Sequence, residues 1–423
     1  MDFNKTKIKI FMVIATQNNN LPKGWEKVRL GEIGKIITGK TPPTADSENF
    51  GGQYPFITIP DMKDQKYIEK TERTISKKGA KIMKNLKIPP KAVVVSCLAT
   101  VGEIGITVKE SFTNQQINSV ICDENKIIPE FLYYSLKHAK PRLLKYSGSV
   151  YTNISKSKFA DFELLIPEDI NEQKRIADIL SAFDDKIEVN NKIIKILEEM
   201  AQGVFKEWFI KFNFPVEFEV KNEKLKVKNL GYRDAGGKFV DSELGKIPEG
   251  WEVKNIMEII KRLSVSKRYN NKTALPTGKV PILDQGQSGI IGFHNEEPSV
   301  KANPQTPVAV FSNHTCYYRL VTFDFSCIQN VIPYIGTKGY PTTFVFYLTK
   351  DKIKMSDYKG HWPEFANQKF VIPPQKLAIE YSEKIQPIIE KVDEIRKENQ
   401  KLAELRDLLL PKLMSGEILV NSE

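Results

Sequence analysis

The sequence predicts a mixed α/β fold, of the α+β kind, with two pseudo-repeated domains separated by two long antiparallel coiled-coil helices. Three observations predict it. LPKGWEKVRLGEIGKII near the start returns from Ile247 as IPEGWEVKNIMEIIKRL, so that Trp25 corresponds to Trp251. Short β-rich runs broken by turn residues follow each copy. Each half then ends in a long stretch with heptad spacing of apolar residues.

The repeat defines the halves. LLIPEDINEQ, ending at Gln173, is echoed by FVIPPQ, ending at Gln375. Each copy therefore starts at a Pro-x-Gly-Trp turn and runs into a Pro-led helix, and repeats of this length are domains rather than solenoid units. Between turn and helix, YPFITI, AVVVSCLA and IGITV read as strands in the first half. VPILD, PVAVF and TFVFYL read the same way in the second.

In the first helical segment the apolar stripe is Leu180, Phe183, Ile187, Ile194, Leu197, Ala201, Val204 and Trp208, with Asn190 filling the one gap. In the second it is Tyr381, Ile385, Ile388, Val392, Ile395 and Leu402, with Asn399 in the seam. Steps of three and four alternate as in a coiled coil, where a seam asparagine fixes register and orientation at a cost in stability. Ile187, Asn190, Ile194 and Leu197 are the expected pairing residues on one side, and Ile395, Asn399 and Leu402 on the other. The stripes run too far for two helices each buried on its own domain, so antiparallel pairing is expected.

The resulting boundaries are an extension over 1–20, a first domain over 21–166 and a helical spacer over 167–212. A polar, Gly-rich linker over 213–246 follows, then a second domain over 247–372, a second spacer over 373–416 and a tail over 417–423.

With 63 Lys and Arg against 52 Asp and Glu, the chain carries a formal charge of +11 and a pI near 9.1. That balance favours a polyanionic partner, nucleic acid first. Cys97, Cys122, Cys316 and Cys327 show neither CxxC spacing nor a disulfide framework and read as reduced cytosolic thiols. KTKIKIFMVIAT near the start mimics a signal peptide, but its apolar run is too short and lacks a small-residue cleavage site. No later segment reaches membrane-spanning length. A cytoplasmic protein is expected.

GKIITGKT, Gly34 to Thr41, fits the phosphate-loop pattern. A phosphate loop needs a helix starting at its Lys-Thr, yet Pro42 and Pro43 follow and steer Thr41 to extended geometry. The second copy carries no Gly-Lys-Thr there. Both halves share only basic and hydroxyl side chains, Lys40 and Thr41 in one and Lys267 and Arg268 in the other, which suits contacts to a nucleic-acid backbone.

Taken together, PFITIPDM, FTNQQINSVI, IPEDINEQKRIADILSAFDDKIEVNNKIIKILEEMAQGVFKEWF, VPILDQGQSGIIGFHNEEP and FSNHT resemble the specificity subunit of a type I restriction–modification enzyme. The resemblance runs from Leu21 to about Gly416, and the order of these motifs within a duplicated chain carries it. It implies two target recognition domains, each reading one block of a split double-stranded DNA site, held apart by the helices. It further implies two partner methyltransferase subunits on those helices and two motor-nuclease subunits in the full complex. S-adenosylmethionine, ATP and magnesium would then be used by the partners, and no cofactor is expected on this chain. The pattern departs from the family at Arg406, which falls in the second seam, and in the shorter second recognition domain.

Base edges are read by amide, basic and hydroxyl side chains presented from loops. Gln115 and Gln116 lie in TNQQIN, and SCIQN in the second half aligns Gln116 with Gln329. Because amides recur at one place, loop bracing competes with base contact there. Ser149, Tyr151, Asn153, Lys156 and Lys158 lie in a segment suited to phosphate and groove contacts. Gln285, Asn313, His314, Lys359 and His361 complete the candidates in the second half. No nucleophile constellation, HExxH or His/Cys pair marks a catalytic or metal residue. A stand-alone methyltransferase or nuclease is the rival class. However, TPPT, IPPK and IPPQ lack the aromatic of an amino-methyltransferase motif, and no acidic cluster suits two-metal cleavage. The loops diverge while turn and helix repeat, so the target is expected to be asymmetric and bipartite.

Overall fold

The computed structural model describes residues 21–63, 65–146, 153–219, 226–286, 289–357 and 359–420. It divides into two compact units, Met1–Val189 with Asn399–Glu423, and Asn190–Glu398.

In the first unit a five-stranded sheet runs in the order Gly34–Thr38, Ile117–Cys122, Val93–Ser96, Ile104–Thr107 and Tyr67–Ile68. Its central strand, VVVS, is buried throughout. Val93 and Val95 join the core formed with Phe131, Tyr134 and Leu136 of the helix Pro129–Tyr146. Val94 joins Ile37, Ile57 and Ile117 in a second cluster. Burial on two sides explains a run of valines where a half-exposed strand would alternate. A smaller sheet orders Arg73–Ile75, Phe50–Ile57 and Phe112–Thr113. The strand Trp25–Arg29 pairs antiparallel with Glu163–Pro167 and so closes the beginning of this domain on its end.

The second unit repeats the plan. Glu252–Asn255 pairs antiparallel with Lys369–Ile372. One sheet orders Ile260–Arg262, Val331–Gly336, Val308–Ser312 and Tyr318–Val321, and another orders Arg268–Tyr269, Ser326–Ile328, Val280–Leu283 and Ile290–His294. The same turn opens each domain: Trp25 N–H donates to Pro22 O, and Trp251 N–H to Pro248 O, both at 3.1 Å. Gly24 and Gly250 hold φ of +78° and +83° there, a conformation that costs a side-chain-bearing residue energy.

Two segments differ from their sequence reading. TFVFYL is not a strand but the heart of the helix Thr342–Thr349, the counterpart of Pro129–Tyr146. Residues 343–349 are all buried, and a short apolar run buried all round has no periodicity to separate helix from strand. The stretch 213–246, polar in composition, carries two hairpins, Pro215–Glu219 with Lys226–Gly231 and Phe239–Ser242 with Gly245–Pro248. Its few aromatic residues do the work: Phe214 stacks on Tyr232 at 4.7 Å and on Trp251 at 5.3 Å.

The long helices span Ile170–Phe205, continued by one π turn over Lys206–Ile210, and Gln375–Met414. Within each unit they run antiparallel. In the second, Asn190 Nδ2 donates to Glu398 Oε2 at 2.8 Å, while further along Tyr381 Oη donates to Ala201 O at 3.1 Å. Asn190 is thus a buried seam residue whose amide reaches Glu398. In the first unit Arg406, the charge that interrupts the stripe, is ion-paired with Asp184, which also accepts from Tyr134 Oη at 2.7 Å. Ile395 is buried, whereas Ile187, Ile194, Leu197 and Leu402 are half-buried. A second apolar row on the first long helix is exposed: Val189 51%, Ile193 38%, Ile196 56% and Met200 54%. Among the described residues no helix is long and apolar enough to cross a membrane.

Gly203 continues that exposed row, and a Cβ built on it would meet nothing within 4 Å. Replacing it with alanine removes the backbone-entropy cost of a mid-helix glycine. Gly203→Ala is expected to raise unfolding stability by about 1 kcal/mol, measured by denaturant titration.

Candidate nucleic-acid interface

In the first unit the Gly34–Thr38 strand ends at Gly39, Lys40 and Thr41. Gly39 N–H donates to Ile117 O at 3.1 Å and Lys40 N–H to Thr113 O at 3.0 Å, so these amides serve the neighbouring chain rather than a phosphate. A Cβ on Gly39 would come within 2.3 Å of Thr113 O and Asn114 O, which is why glycine stands there. GKIITGKT is an edge strand and its exit turn. Lys40 is exposed, and Thr41 Oγ1 donates to Gln115 Oε1 at 2.8 Å.

Gln115 is exposed, but its neighbour is not free. Gln116 O accepts from Cys97 N–H at 2.7 Å, and Gln116 Oε1 accepts from Asn114 Nδ2 at 2.9 Å. Cys97 O in turn accepts from Ile154 N–H at 2.8 Å, which ties the segment carrying Asn153, Lys156 and Lys158 to the same turn. Ser155 Oγ accepts from Lys158 N–H at 3.3 Å and caps the short helix Lys156–Ala160, leaving both lysines exposed. Ser149 and Tyr151 lie outside the described residues. The fold therefore brings Thr41, Gln115, Gln116 and Asn153 to one rim.

The second unit builds its rim the same way. Asn313 N–H donates to Asn330 O and His361 N–H to Asn313 O, both at 2.8 Å. Asn313 Oδ1 accepts from Trp362 N–H at 2.7 Å, so Asn313 braces three segments. His314 N–H donates to Gln285 Oε1 at 2.9 Å, and His314 Nδ1 meets Lys359 O at 2.9 Å. Gln285, Asn313, His314, Lys359 and His361, scattered over the sequence, are gathered here.

Register corrects one correspondence. Ile117 pairs with Ser96, and Val331 pairs with Ser312. Counting back, Gln116 corresponds to Asn330, and Gln329 corresponds to Gln115 rather than to Gln116. The recurrence of amides in sequence had concealed a one-residue offset.

Other candidates are diverted. His361 is fully buried with both ring nitrogens engaged, by Glu364 Oε2 at 3.0 Å and Asp357 O at 3.1 Å, and cannot reach a ligand. Arg268 directs its guanidinium at Ile328 O (2.9 Å) and Val331 O (3.0 Å), holding the strand beneath. Lys267 is paired with Glu296, which raises the pKa of the lysine and lowers that of the glutamate. Lys359, exposed, pairs with Glu364 at 2.8 Å.

Among the described residues, neither the Cys97, Cys122 and Cys327 thiols nor the His294–Ser326 pair is arranged as an activated nucleophile. Burial pushes the Cys97 and Cys327 thiols up to about 11 and Cys122 to about 12. His294 Nε2 lies 2.9 Å from Ser326 Oγ, but His294 Nδ1 accepts the Glu296 N–H at 3.1 Å. The proton therefore sits on Nε2, and the ring donates to the serine instead of deprotonating it. Among the described residues no group of three or more His, Cys, Asp or Glu is placed to hold a metal ion.

Residues 22–199 match the family model of the type I restriction modification DNA specificity domain. Over 96% of both chains the protein is 28% identical to the MjaIX type I restriction enzyme specificity subunit of Methanocaldococcus jannaschii. Over nearly its whole length the chain is thus similar to type I restriction enzyme specificity subunits. It is also 42% identical to the HindI specificity subunit of Haemophilus influenzae over 153 residues, 35% of this chain and 33% of that one. The crystal structure of the type I restriction–modification S subunit from M. genitalium shares the fold, with a TM-score of 0.52 at 18% identity over 94% of this chain and 98% of that one. Composition points to the basic and amide residues of the two rims. What it missed was which of them the backbone uses as braces, because that depends on strand register.

His294 also yields a pH dependence. Burial holds its ring below the usual histidine value, with Glu296 opposing and Lys267 reinforcing the effect, so folding favours the neutral ring. Its contribution is complete above the ordinary pKa of about 6.5 and is lost as pH falls through the lower folded value. The thermal midpoint is expected to drop between pH about 7.5 and about 5.5, and His294→Gln to flatten that slope. An unchanged slope in the variant would assign the titration to another group.

Proposed function

We propose that this chain is the DNA-recognition subunit of a type I restriction–modification complex, binding a bipartite, asymmetric site and directing methyltransferase and restriction subunits to it. The observation that carries this reading is the repetition of one rim. In a basic chain, the same strand register presents a different set of amide, hydroxyl and basic side chains in each unit. Like strand registers with divergent edges suit the reading of two different blocks of sequence, with phosphate contacts supplying affinity and edge contacts supplying choice. Lys40, Lys156 and Lys158 are assigned to phosphates.

The chain itself is taken as non-catalytic, with S-adenosylmethionine, ATP and magnesium bound by its partners. Its place is the cytoplasm, with the DNA it reads. The exposed row of Val189, Ile193, Ile196 and Met200 repeats at steps of four, three and four, the spacing by which one helix receives another. We assign it to a methyltransferase subunit, one of two on the helices, with two restriction subunits completing the assembly.

Exchanging residues from about Trp251 to Phe370 for another recognition domain is expected to change one block of the methylated site and leave the other intact. Sequencing of modified bases reads the result, and a change in both blocks would count against modular reading. Separately, Ile196→Glu with Met200→Glu is expected to weaken capture of the methyltransferase subunit at least about tenfold, roughly 1.4 kcal/mol. DNA binding by the chain alone should not change. Equal capture by the variant would remove the row from the interface.

A further inference from the structure

We propose that Gln115 and Gln329 are the paired specificity-determining side chains of the two rims, each reading one base pair in its own block, while Gln116 and Asn330 are structural. The inference rests on the DNA-recognition reading above and adds to it the residues that discriminate.

Three observations lead to it. The pairs Ile117 with Ser96 and Val331 with Ser312 place Gln115 and Gln329 at the same point of the two folds, two residues before the paired strand position. At the next position the two backbones do the same thing: Gln116 O accepts from Cys97 N–H, and Asn330 O accepts from Asn313 N–H. The backbone there is committed to holding the turn, with Asn330 at a φ of +69° and Gln116 Oε1 bonded to Asn114, and the residue before it is turned outward, since Gln115 and Gln329 are both exposed. In a turn anchored on one side by a buried strand, the outward residue is the one a ligand meets.

Their chemistry differs in an instructive way. Gln115 Oε1 already accepts the hydroxyl of Thr41 at 2.8 Å, so the group it has to offer is its Nε2 amide. A glutamine held in this way donates from Nε2 to an acceptor, guanine O6 or N7, adenine N7 or thymine O4, while one of the two lone pairs of Oε1 is already taken. Pinning by Thr41 also lowers the side-chain entropy lost on contact. Gln329 has no hydrogen-bond partner among the described residues, so both ends of its amide are open, as bidentate reading of adenine N6 and N7 requires. The first rim is therefore assigned an acceptor-presenting base at one position. The second rim is assigned a less constrained contact.

The test uses the full chain in complex with its methyltransferase subunit, selecting from a pool of randomised duplexes, with bound sequences counted. Gln115→Ala is expected to lower discrimination at one base pair of one block about tenfold or more, and Gln329→Ala to do so at one base pair of the other block. Thr41→Val, which frees Oε1, should alter the preference at the same base pair as Gln115→Ala. Gln116→Ala should leave every preference intact and lower thermal stability. Unchanged preferences in Gln115→Ala or Gln329→Ala, loss in the same block for both, or weakened binding with every preference retained would each overturn the assignment. If the unmodified complex selects no bipartite site, it is the DNA-recognition reading that fails; if it does select one, only the residue assignment is at stake.

Discussion

One strand register, used twice, underlies everything else in this protein. Pairing Ser96 with Ile117 and Ser312 with Val331 sets which residue of each following turn gives its carbonyl to the adjacent segment. A slip of one residue would reverse every side chain of the strand, and burial on both sides makes that prohibitive in the first unit, where Val93 and Val95 join one cluster and Val94 another. The rim is thus as well determined as the core beneath it, although Gln115 and Gln329 on it are exposed. That is the useful property of a recognition scaffold: loops can change while the positions they present stay put.

The same economy explains a misleading motif. GKIITGKT looks like a phosphate loop because two glycines and a Lys-Thr recur at the right spacing. Here Gly39 is present because Thr113 O and Asn114 O come too close for a Cβ, and the Gly39 and Lys40 amides complete that contact. Close backbone approach selects glycine whether the approaching group is a phosphate or another strand.

Charge within the helical seams has a comparable logic. Arg406 falls where an apolar residue is expected, but Asp184, itself held by Tyr134 Oη, meets it from within the first unit, and Asn190 finds Glu398 within the second. A part-buried charge is tolerable only with such a partner, since removing one member leaves the other uncompensated. Seam polarity of this kind restricts which residues can face one another. The exposed row on the first long helix, Val189, Ile193, Ile196 and Met200, carries no polar device of that sort.

Much of this was legible in the chain. The Pro-x-Gly-Trp turns, the duplication and the heptad seams follow from periodicity and glycine placement, which depend only on near neighbours. Basic charge and clustered amides near the first rim were equally plain. Tertiary structure alone decided that TFVFYL is a helix, that residues 213–246 fold on Phe214, Tyr232 and Trp251, and that His361 is buried while Gln115 and Gln329 are the equivalent outward pair. A short run buried on all sides has no period to read, and Phe214 and Tyr232 of the polar stretch meet Trp251 beyond it only when the chain closes. Whether a side chain braces or protrudes depends on a hydrogen bond to a strand far away in sequence, as between Cys97 and Gln116, and composition contains no record of that distance.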